Sequence, residues 1–462
     1  MIYKLRPYQE ECVKSISDYI NSDRHDPVLV IGPVGCGKSI LIAEAARLMG
    51  DKTLVLQPSR ELLIQNYCKL TSYGIPATIY SASCGKKELS NMIYATLGSI
   101  KKVVGQLKEM GIRNVLIDEA HAGYSPEDGS EFMTFMNELK PRKVIGFTAT
   151  PCRLKNMSIG QTSYSQLNFI TRMRPVYFKN LIHVIQVEEM IRQEFWTPLK
   201  YETWDFNGDA LKLNSNGSEY TAESISEAVR KNGLNNLILR RLMVLKDICR
   251  SILVFMDSVE SCNTAAEWMN AKICAGIAEV VHGGTPKKQR EAIVERFKSG
   301  KTKVVFNYSA LGTGFDHPGL DCVIVGRPTF SFSSFYQWLG RAVRIKDGKD
   351  SALVVDCCNN SSRFGDIREL SIENYKGYGW GMFIGDKLIT NIPMGDKVTK
   401  TDLDIKAAKK DRRRGLAQGV TAAPVPGRPD HPLGSTLMAF GKYCGWMLHS
   451  IPVSYFKFIN ET

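Results

Sequence analysis

Short runs of β-branched and apolar residues alternate with longer segments of helical periodicity over residues 27–150. The runs lie at 28–31, 53–57, 115–118 and 143–147. This alternation is typical of a parallel sheet whose strands are joined by crossover helices. The pattern therefore predicts a first α/β domain over residues 1–152.

The same alternation returns in the second half of the chain. It predicts strands at 252–256, 304–307, 323–325 and 352–356, with a helix at 287–297 between two of them. A second α/β domain of similar size is expected at 246–357. The segment between the domains, 153–245, is less regular. Its polar patch at 207–218 and its helical pattern over 222–245 indicate a connector with a small accessory element.

The pattern changes again after residue 357. A basic extension over 358–420 contains a predicted helix at 401–414 with a threonine cap, aspartates in its first turn, basic residues in its last turn and Gly415 as its stop. Four prolines at 421–432 predict an extended linker, and a small module is expected at 433–462.

Composition bounds what the chain can be. It has 462 residues, and Lys plus Arg exceed Asp plus Glu by 60 to 47, which gives a formal charge of +13. This balance favours a polyanionic partner, with nucleic acid as the first expectation. The 12 cysteines contain no C-x-x-C pair, so neither a zinc module nor a disulfide framework is indicated. With no apolar run long enough to span a bilayer, we expect a cytoplasmic protein without a membrane partner.

A phosphate-binding loop follows the first predicted strand. Residues 32–39 fit the pattern G-x-x-x-x-G-K-[ST] between an apolar strand and an Ala/Leu-rich helix. Gly32, Gly35 and Gly37 would let backbone N–H groups wrap the phosphates of ATP. Lys38 would reach the terminal phosphates and Ser39 would bind Mg²⁺. The alternative is a chance match in a chain with 38 glycines.

Two adjacent carboxylates, Asp118 and Glu119, end the third predicted strand. Asp118 would hold Mg²⁺ through water, while Glu119 would orient and deprotonate the attacking water. An acidic loop after a core strand is the simpler alternative. At the end of the fourth strand, Thr148 and Thr150 could relay between this site and nucleic acid, although a simple turn fits the tripeptide nearly as well.

An arginine pair lies some 300 residues downstream, within the stretch Gln-Trp-Leu-Gly-Arg-Ala-Val-Arg at 337–344. Arg341 and Arg344 are one helical turn apart, and with Gln337 they are the candidates for a second-domain wall of the ATP site. Closure of such a wall on the phosphates can turn hydrolysis into motion. A motor ATPase is therefore expected.

The ordered set of motifs over residues 1–357 resembles the superfamily 2 helicases of the DEAH-lettered type. The resemblance implies two tandem RecA-like domains with ATP and Mg²⁺ between them. The stretch Leu-Arg-Pro-Tyr-Gln at 5–9 resembles the adenine-reading Q motif, which implies that Arg6 and Gln9 contact the nucleotide. The stretch at 310–316 resembles motif V and implies Gly314 and Asp316 at the nucleotide.

The resemblance also implies which residues meet nucleic acid. Motifs Ia, Ib, IV and V and the His-Gly-Gly turn after motif IV correspond to Arg60, Thr96, Ser258, Thr313 and Gly283. His121 falls at a motif position and is expected, with Thr148 and Thr150, to couple the ATP site to the strand.

Motif VI departs from the RNA-unwinding relatives, because Val343 stands where they commonly have glycine. No long winged-helix extension follows it. The whole arrangement is similar to small phage-encoded DNA helicases that act on branched DNA, so an ATP-dependent DNA helicase or translocase is predicted, working as a monomer on DNA in the host cytoplasm if phage-encoded. An RNA helicase and an ATP-gated clamp on branched DNA are the alternatives.

Two features near the end of the chain stay open. Residues 440–456 resemble a short G-K-Y-x-G module of bacterial and phage proteins. Its aromatic residues could stack on bases or form the core of a mini-domain, and the module could bind a protein partner. The basic run at 409–414 is either a solvated helix end or a clamp on duplex DNA.

Overall fold

The computed structural model describes residues 4–159, 162–311 and 315–417. Thr313, Gly314, the linker at 421–432 and the module at 433–462 lie outside the described residues. The chain divides into two compact units. The larger comprises Met1–Glu373, Trp380–Gly385 and Ile389–Asp396, and the smaller comprises Asn374–Gly379, Asp386–Leu388 and the chain from Lys397. Each is considered by itself.

The first part of the larger unit contains six α-helices and nine strands among the described residues. The helices are α1 (Pro7–Asn21), α2 (Lys38–Met49), α3 (Arg60–Thr71), α4 (Leu97–Ile100), α5 (Val104–Glu109) and α6 (Glu131–Leu139). The strands are β1 (Val28–Ile31), β2 (Thr53–Leu56), β3 (Thr78–Ser81), β4 (Lys86–Lys87), β5 (Met92–Ala95), β6 (Asn114–Ile117), β7 (Lys143–Thr148), β8 (Cys152–Ile159) and β9 (Thr162–Phe169).

The remaining elements follow in chain order. The helices are α7 (Val187–Arg192), α8 (Ala222–Lys231), α9 (Leu234–Ile248), α10 (Val259–Lys272), α11 (Lys287–Lys298), α12 (Phe332–Leu339), α13 (Asn360–Phe364) and α14 (Lys400–Ala417). The strands are β10 (Asn180–Val184), β11 (Leu199–Thr203), β12 (Ile252–Phe255), β13 (Ala278–His282), β14 (Val304–Tyr308), β15 (Cys322–Val325), β16 (Ala352–Asp356), β17 (Leu370–Tyr375), β18 (Gly379–Ile384), β19 (Lys387–Leu388) and β20 (Val398–Thr399).

The first sheet has the order β10-β1-β7-β6-β2-β5-β3-β4. Its strands run parallel except for the antiparallel pair β3 and β4. The central strands β1, β2, β5, β6 and β7 are buried along their whole length, which explains their continuous apolar runs. The P-loop and the Asp118–Glu119 pair both follow carboxyl ends of these strands, so they meet at one edge of the sheet.

The second sheet is entirely parallel, in the order β11-β16-β15-β12-β14-β13. The predicted architecture of two tandem α/β domains is thus confirmed. The predicted connector at 153–245 contributes to both domains, because β10 pairs with β1 and β11 pairs with β16. The antiparallel pair β8–β9 is a separate two-stranded ribbon.

The single helix predicted over 222–245 is wrong, because two helices occupy this stretch. Helix α8 ends before Asn232, whose side-chain Nδ2 donates to the Ala228 carbonyl at 2.8 Å. Gly233 follows with a φ of 58°, a left-handed conformation that glycine adopts without strain. The chain is thereby redirected before α9 begins at Leu234.

In the smaller unit, β19 and β20 pair in antiparallel fashion ahead of α14. The threonine cap is Thr399, whose hydroxyl accepts from the Asp402 amide at 3.2 Å while Asp402 Oδ2 accepts from the Thr399 amide at 2.9 Å. The helix therefore begins at Lys400 and continues past Gly415, the predicted stop, to Ala417. Among the described residues, no helix is long and apolar enough to cross a membrane.

Candidate nucleotide site between the two α/β domains

One cavity of about 330 Å³ joins the two domains of the larger unit. It collects residues that are far apart in the sequence and were assigned to the nucleotide or to its hydrolysis. These are Arg6, Gly35, Gly37, Lys38, Ser39, Glu119, Asp316, Gln337, Arg341 and Arg344. The first six come from the first domain and the last four from the second. The predicted two-walled arrangement therefore exists as a physical space.

The P-loop places Lys38 at the first position of α2. Its Nζ lies 3.3 Å from Asp118 Oδ1 and forms an ion pair with Glu119. Burial alone would lower the pKa of this ammonium, but the two carboxylates outweigh that effect and raise it above its ordinary value. Lys38 is therefore a fixed cation at the junction between the P-loop and the acidic pair.

Asp118 is 1% exposed and is held on both carboxylate oxygens. Its Oδ2 accepts from Asn66 Nδ2 at 2.8 Å and its Oδ1 accepts from the Glu119 amide at 2.9 Å. Burial raises the pKa of the Asp118 carboxyl, Lys38 opposes the rise, and the neighbouring Glu119 adds to it. A cation bound at this carboxylate would relieve the cost of burying its charge.

The donor set here suits a magnesium ion. Hydroxyl and carboxylate oxygens are the ligands that Mg²⁺ prefers, and Ser39 Oγ and the Asp118 carboxylate supply both types. Gln65 Nε2 lies 3.4 Å from Ser39 Oγ and orients that hydroxyl. Ser39 and Asp118 are therefore the residues that would hold Mg²⁺.

His121 connects Glu119 to the end of β7. Its Nδ1 lies 2.8 Å from Thr148 Oγ1 and 3.4 Å from Glu119 Oε2, and its Nε2 lies 3.1 Å from Thr150 Oγ1. Burial, with Lys38 and Arg153 nearby, lowers the pKa of His121 to about 3. The imidazole is neutral, so one ring nitrogen donates and the other accepts. All three residues assigned to coupling thus form one buried hydrogen-bonded chain.

The two arginines approach from the second domain just after α12. Arg341 Nη1 donates to the Phe315 carbonyl at 2.6 Å, and Arg344 Nη1 forms an ion pair with Asp316. Burial lowers the pKa of both guanidiniums. Since arginines remain cations at neutral pH, this shift reports positive charge held in a buried place, where an anionic phosphate is stabilising.

The part of the site expected to contact adenine differs from the prediction for Gln9. Gln9 is buried, and its amide is already bonded at both ends: Nε2 donates to the Cys36 carbonyl at 2.9 Å and Oε1 accepts from the Arg6 amide at 3.0 Å. It braces the P-loop and does not line the cavity. The cavity wall instead contains Arg6 and Phe195, with the Arg6 guanidinium carbon 4.5 Å from the Phe195 ring centroid.

Residues that the sequence analysis missed complete this wall. Phe195 comes from the predicted connector, and its only signal was the aromatic pair formed with Trp196. Gln65 and Lys69 lie on α3, together with Leu62, and face the cavity. The spacing of three residues from Leu62 to Gln65 and of four from Gln65 to Lys69 was the available signal, since such positions share one face of a helix.

The two domains touch closely where the P-loop meets motif VI. A Cβ on Gly340 would lie 2.5 Å from Val34 Cγ2, so only glycine fits there. Val343 is fully buried and its Cγ2 would lie 3.2 Å from a Cβ on Gly35. The valine that replaces the glycine of RNA-unwinding relatives therefore packs onto the P-loop.

The connector reinforces the same joint. Trp196 Nε1 donates to the Val34 carbonyl at 2.8 Å, and the next residue, Thr197, donates through its amide to the Val343 carbonyl at 2.8 Å. One short segment therefore bonds both to the P-loop and to residues 340–344, the arginine turn.

The residues assigned to nucleic acid have local structural roles in the described contacts. Arg60 begins α3, Thr96 Oγ1 bonds Ser81 and Ser99, and Ser258 caps α10. Among the described residues, no hydrogen bond or ion pair joins Arg60 or Thr96 directly to Ser258 or Gly283.

Their neighbours do meet across the domains. Arg290 Nη2 donates to the Gly283 carbonyl at 3.4 Å, and Arg290 Nη1 lies 3.9 Å from Glu61, which follows Arg60. The predicted contacts of motif Ia and of the His-Gly-Gly turn therefore lie on adjoining surfaces.

Two family models match this chain. Residues 2–153 match "Type III restriction enzyme, res subunit" and residues 234–346 match "Helicase conserved C-terminal domain". The chain is 25% identical to a 51.5 kDa protein of a Lactococcus phage over 332 residues, which are 71% of this chain and 65% of that one. It is 23% identical to the DNA 3'-5' translocase XPB2 of Sulfurisphaera tokodaii, over 76% of this chain and 81% of the relative.

The matched part is only 52–65% of the length of the first three curated relatives. Among solved structures, the ATP-dependent Type ISP restriction-modification enzyme LlaBIII bound to DNA superposes with a TM-score of 0.57 at 16% identity. That match covers 94% of this chain and 32% of the other, and at this identity it shows a shared fold.

The close approach at Gly340 generates a test of the interdomain joint. Gly340→Ala should lower the free energy of unfolding by about 1–3 kcal/mol, because the new methyl group meets the stiff side chain of Val34. Adding Val34→Ala should restore most of the loss in a denaturant titration. Gly98→Ala, which places its methyl group in open space, is the matched control. A Gly340→Ala protein as stable as the control would contradict this packing.

Proposed function

Because models of a restriction-enzyme subunit and of a conserved helicase domain match the two α/β domains, we propose that the chain is an ATP-dependent DNA helicase or translocase of superfamily 2, of the DEAH-lettered type. The observation that carries the proposal is the single cavity that holds Lys38 and Glu119 on one wall and Arg341 and Arg344 on the other. Only a site built from both domains can convert the state of a nucleotide into a change in domain spacing.

The first wall would bind the nucleotide and activate the attacking water. A polyphosphate entering the cavity competes with Asp118 and Glu119 for the Lys38 ammonium, and Ser39 and Asp118 would hold Mg²⁺. When bound, the ion neutralises phosphate charge and orients the terminal phosphoryl group. Glu119, released from Lys38, would then accept a proton from the attacking water.

The second wall would stabilise the charge that develops during transfer. Arg344 is held by Asp316 and Arg341 by the Phe315 carbonyl, so both guanidiniums are oriented before any phosphate arrives. Preorganised cations of this kind need little rearrangement at the moment of reaction. Arg6 and Phe195 would enclose the base by stacking on its faces.

The nucleic-acid path is proposed along the adjoining surfaces of motif Ia and the His-Gly-Gly turn. Arg60 and Gly283 flank the contact between Glu61 and Arg290, so a strand lying there would touch both domains. The buried chain from Glu119 through His121 to Thr150 would carry the state of the ATP site outward. The formal charge of +13 favours a phosphate backbone as partner.

DNA is proposed over RNA, and branched DNA as the preferred form. The Sulfurisphaera tokodaii relative is named as a DNA translocase. Val343 packs on the P-loop, and this role in the interdomain joint does not distinguish DNA from RNA. The preference for DNA is therefore supported by the relatives and by the resemblance to phage helicases. A monomer working on DNA is the simplest form of this proposal.

Substitutions in the two walls should separate binding from chemistry. Glu119→Gln and Arg344→Ala should retain ATP affinity but lower DNA-stimulated turnover by about 10²-fold and about 10³-fold respectively. Lys38→Ala should weaken binding as well. Steady-state hydrolysis and binding of a fluorescent ATP analogue measure the two effects. Arg113→Ala, at the amino end of β6, is the control, and near-normal turnover in Glu119→Gln or Arg344→Ala would remove the assignment.

Substitutions on the proposed track should act on DNA instead. Arg60→Ala and Thr96→Ala should raise the concentration of single-stranded DNA that half-maximally stimulates hydrolysis, with little change in the basal rate, since neither residue lines the cavity. The Arg60 variant should also show a weaker dependence on salt, because one phosphate contact is lost. An unchanged half-maximal concentration would place the strand elsewhere.

A strand-displacement assay decides between the functions. The wild-type protein is incubated with forked DNA, a four-way DNA junction, linear duplex DNA and a matched RNA duplex, each with and without ATP. ATP-dependent separation of the forked and four-way DNA is expected. Faster separation of the RNA duplex would establish the RNA helicase, and ATP-dependent binding of the junction without separation would establish the clamp. Glu119→Gln serves as the hydrolysis-deficient control.

A further inference from the structure

A lysine outside the nucleotide cavity is bonded to the turn that carries the two arginines. Lys349 Nζ lies 2.7 Å from the Ala342 carbonyl oxygen, 2.8 Å from that of Arg344 and 3.2 Å from that of Pro318. An ammonium has three N–H donors, and three carbonyls surround this one. Its side chain therefore closes the turn on itself and ties it to the segment that follows Asp316.

The arginine turn is not helical, so its carbonyl groups need hydrogen-bond donors from other parts of the chain. Helix α12 ends at Leu339, so Arg341 and Arg344 lie beyond its last residue. Thr197 contributes two bonds, from its amide to the Val343 carbonyl and from its hydroxyl to the Arg344 carbonyl at 2.7 Å. Lys349 adds the charged donor, and charge-assisted hydrogen bonds are roughly twice as strong as neutral ones.

We propose that Lys349 is a positioning residue for Arg341 and Arg344, holding the carbonyls of the turn so that both guanidiniums point into the cavity. The inference rests on the proposed ATP hydrolysis. Lys349 does not line the nucleotide cavity, so it acts through the turn. Its loss should therefore lower kcat and leave ATP affinity nearly unchanged.

The same lysine makes the turn sensitive to pH. Burial lowers the pKa of Lys349 to about 8; Asp321 opposes this, and Arg344 and Lys346 add to it. The remaining charged or titratable groups around this surface are Arg250, Lys298, His317, Asp347 and Asp350. Burial lowers the pKa of His317 to about 4, so that imidazole is already neutral in the relevant range.

The direction of the pH effect follows from counting donors. Below about pH 8 the protonated amine donates to all three carbonyls. Above it, the neutral amine has two N–H groups and no charge, so the turn loses one bond and the charge assistance of the others. The kcat of the wild-type protein should therefore fall as the pH rises through about 8.

The test compares Lys349→Met, Lys349→Arg and the matched control Lys346→Met, which removes an exposed ammonium three residues away. DNA-stimulated kcat and KM, affinity for a fluorescent ATP analogue, and amide hydrogen exchange of residues 340–345 without nucleotide are measured. Lys349→Met should lower kcat about tenfold, keep ATP affinity within about twofold and speed exchange. Lys349→Arg should recover part of kcat and lose the decline near pH 8. The control should match the wild type in kcat at pH 7 and in exchange, and its decline should begin at a higher pH, because Lys346 helps to lower the pKa of Lys349.

Wild-type kcat in Lys349→Met, or unchanged exchange in the turn, overturns the inference. Should Lys349→Met not fold, the wild-type pH series decides, and a flat kcat through pH 8 overturns it. Should the wild type hydrolyse no ATP, the proposed function fails and exchange alone decides: faster exchange in Lys349→Met than in Lys346→Met supports the positioning role, and equal exchange overturns it.

Discussion

The contact between the P-loop and the arginine turn is the constraint on which the site depends. Val34 and Gly35 of the first domain meet Gly340 and Val343 of the second at van der Waals distance, and a methyl group at Gly340 would not fit. Because interiors are packed as densely as crystals, such a contact has few alternative arrangements. It brings Arg341 and Arg344 into the same cavity as the phosphate-binding loop.

Around this joint, Asp118, Glu119 and Arg344 each have a side-chain partner that takes no part in the proposed reaction. Asn66 orients Asp118, Asp316 holds Arg344, and His121 links Glu119 to two threonine hydroxyls. Precise positioning by such supporting bonds is what makes electrostatic catalysis effective in a buried site. A switch of Lys38 from the carboxylates to phosphate would then release Glu119, whose Oε2 lies 3.4 Å from His121 Nδ1.

The fold and one wall of the cavity could be predicted because they follow from local patterns. Buried parallel strands read as continuous apolar runs, and Lys38, Ser39 and Glu119 stand in fixed positions after strand ends. Two strands of the connector, β10 and β11, escaped prediction because their residues are only partly buried at the sheet edges.

Other parts of the site could not be predicted because their roles exist only in three dimensions. Phe195 faces the cavity through the path of the connector, and Lys349 acts through carbonyl groups that have no side-chain signal in the sequence. The bonding of the Gln9 amide to the P-loop likewise depends on the tertiary fold. Gly233 was a possible signal for a helix break, but the helical pattern continues on both sides of it, so a single helix was predicted.

The most direct test of the central claim is a structure of the protein with ADP, Mg²⁺ and aluminium fluoride on single-stranded DNA. We predict that Arg341 and Arg344 both lie within hydrogen-bond distance of the fluoride group and that Lys38 has left Glu119 for the phosphates. A structure with the fluoride bound on the P-loop while neither guanidinium lies within hydrogen-bond distance of it would contradict this claim.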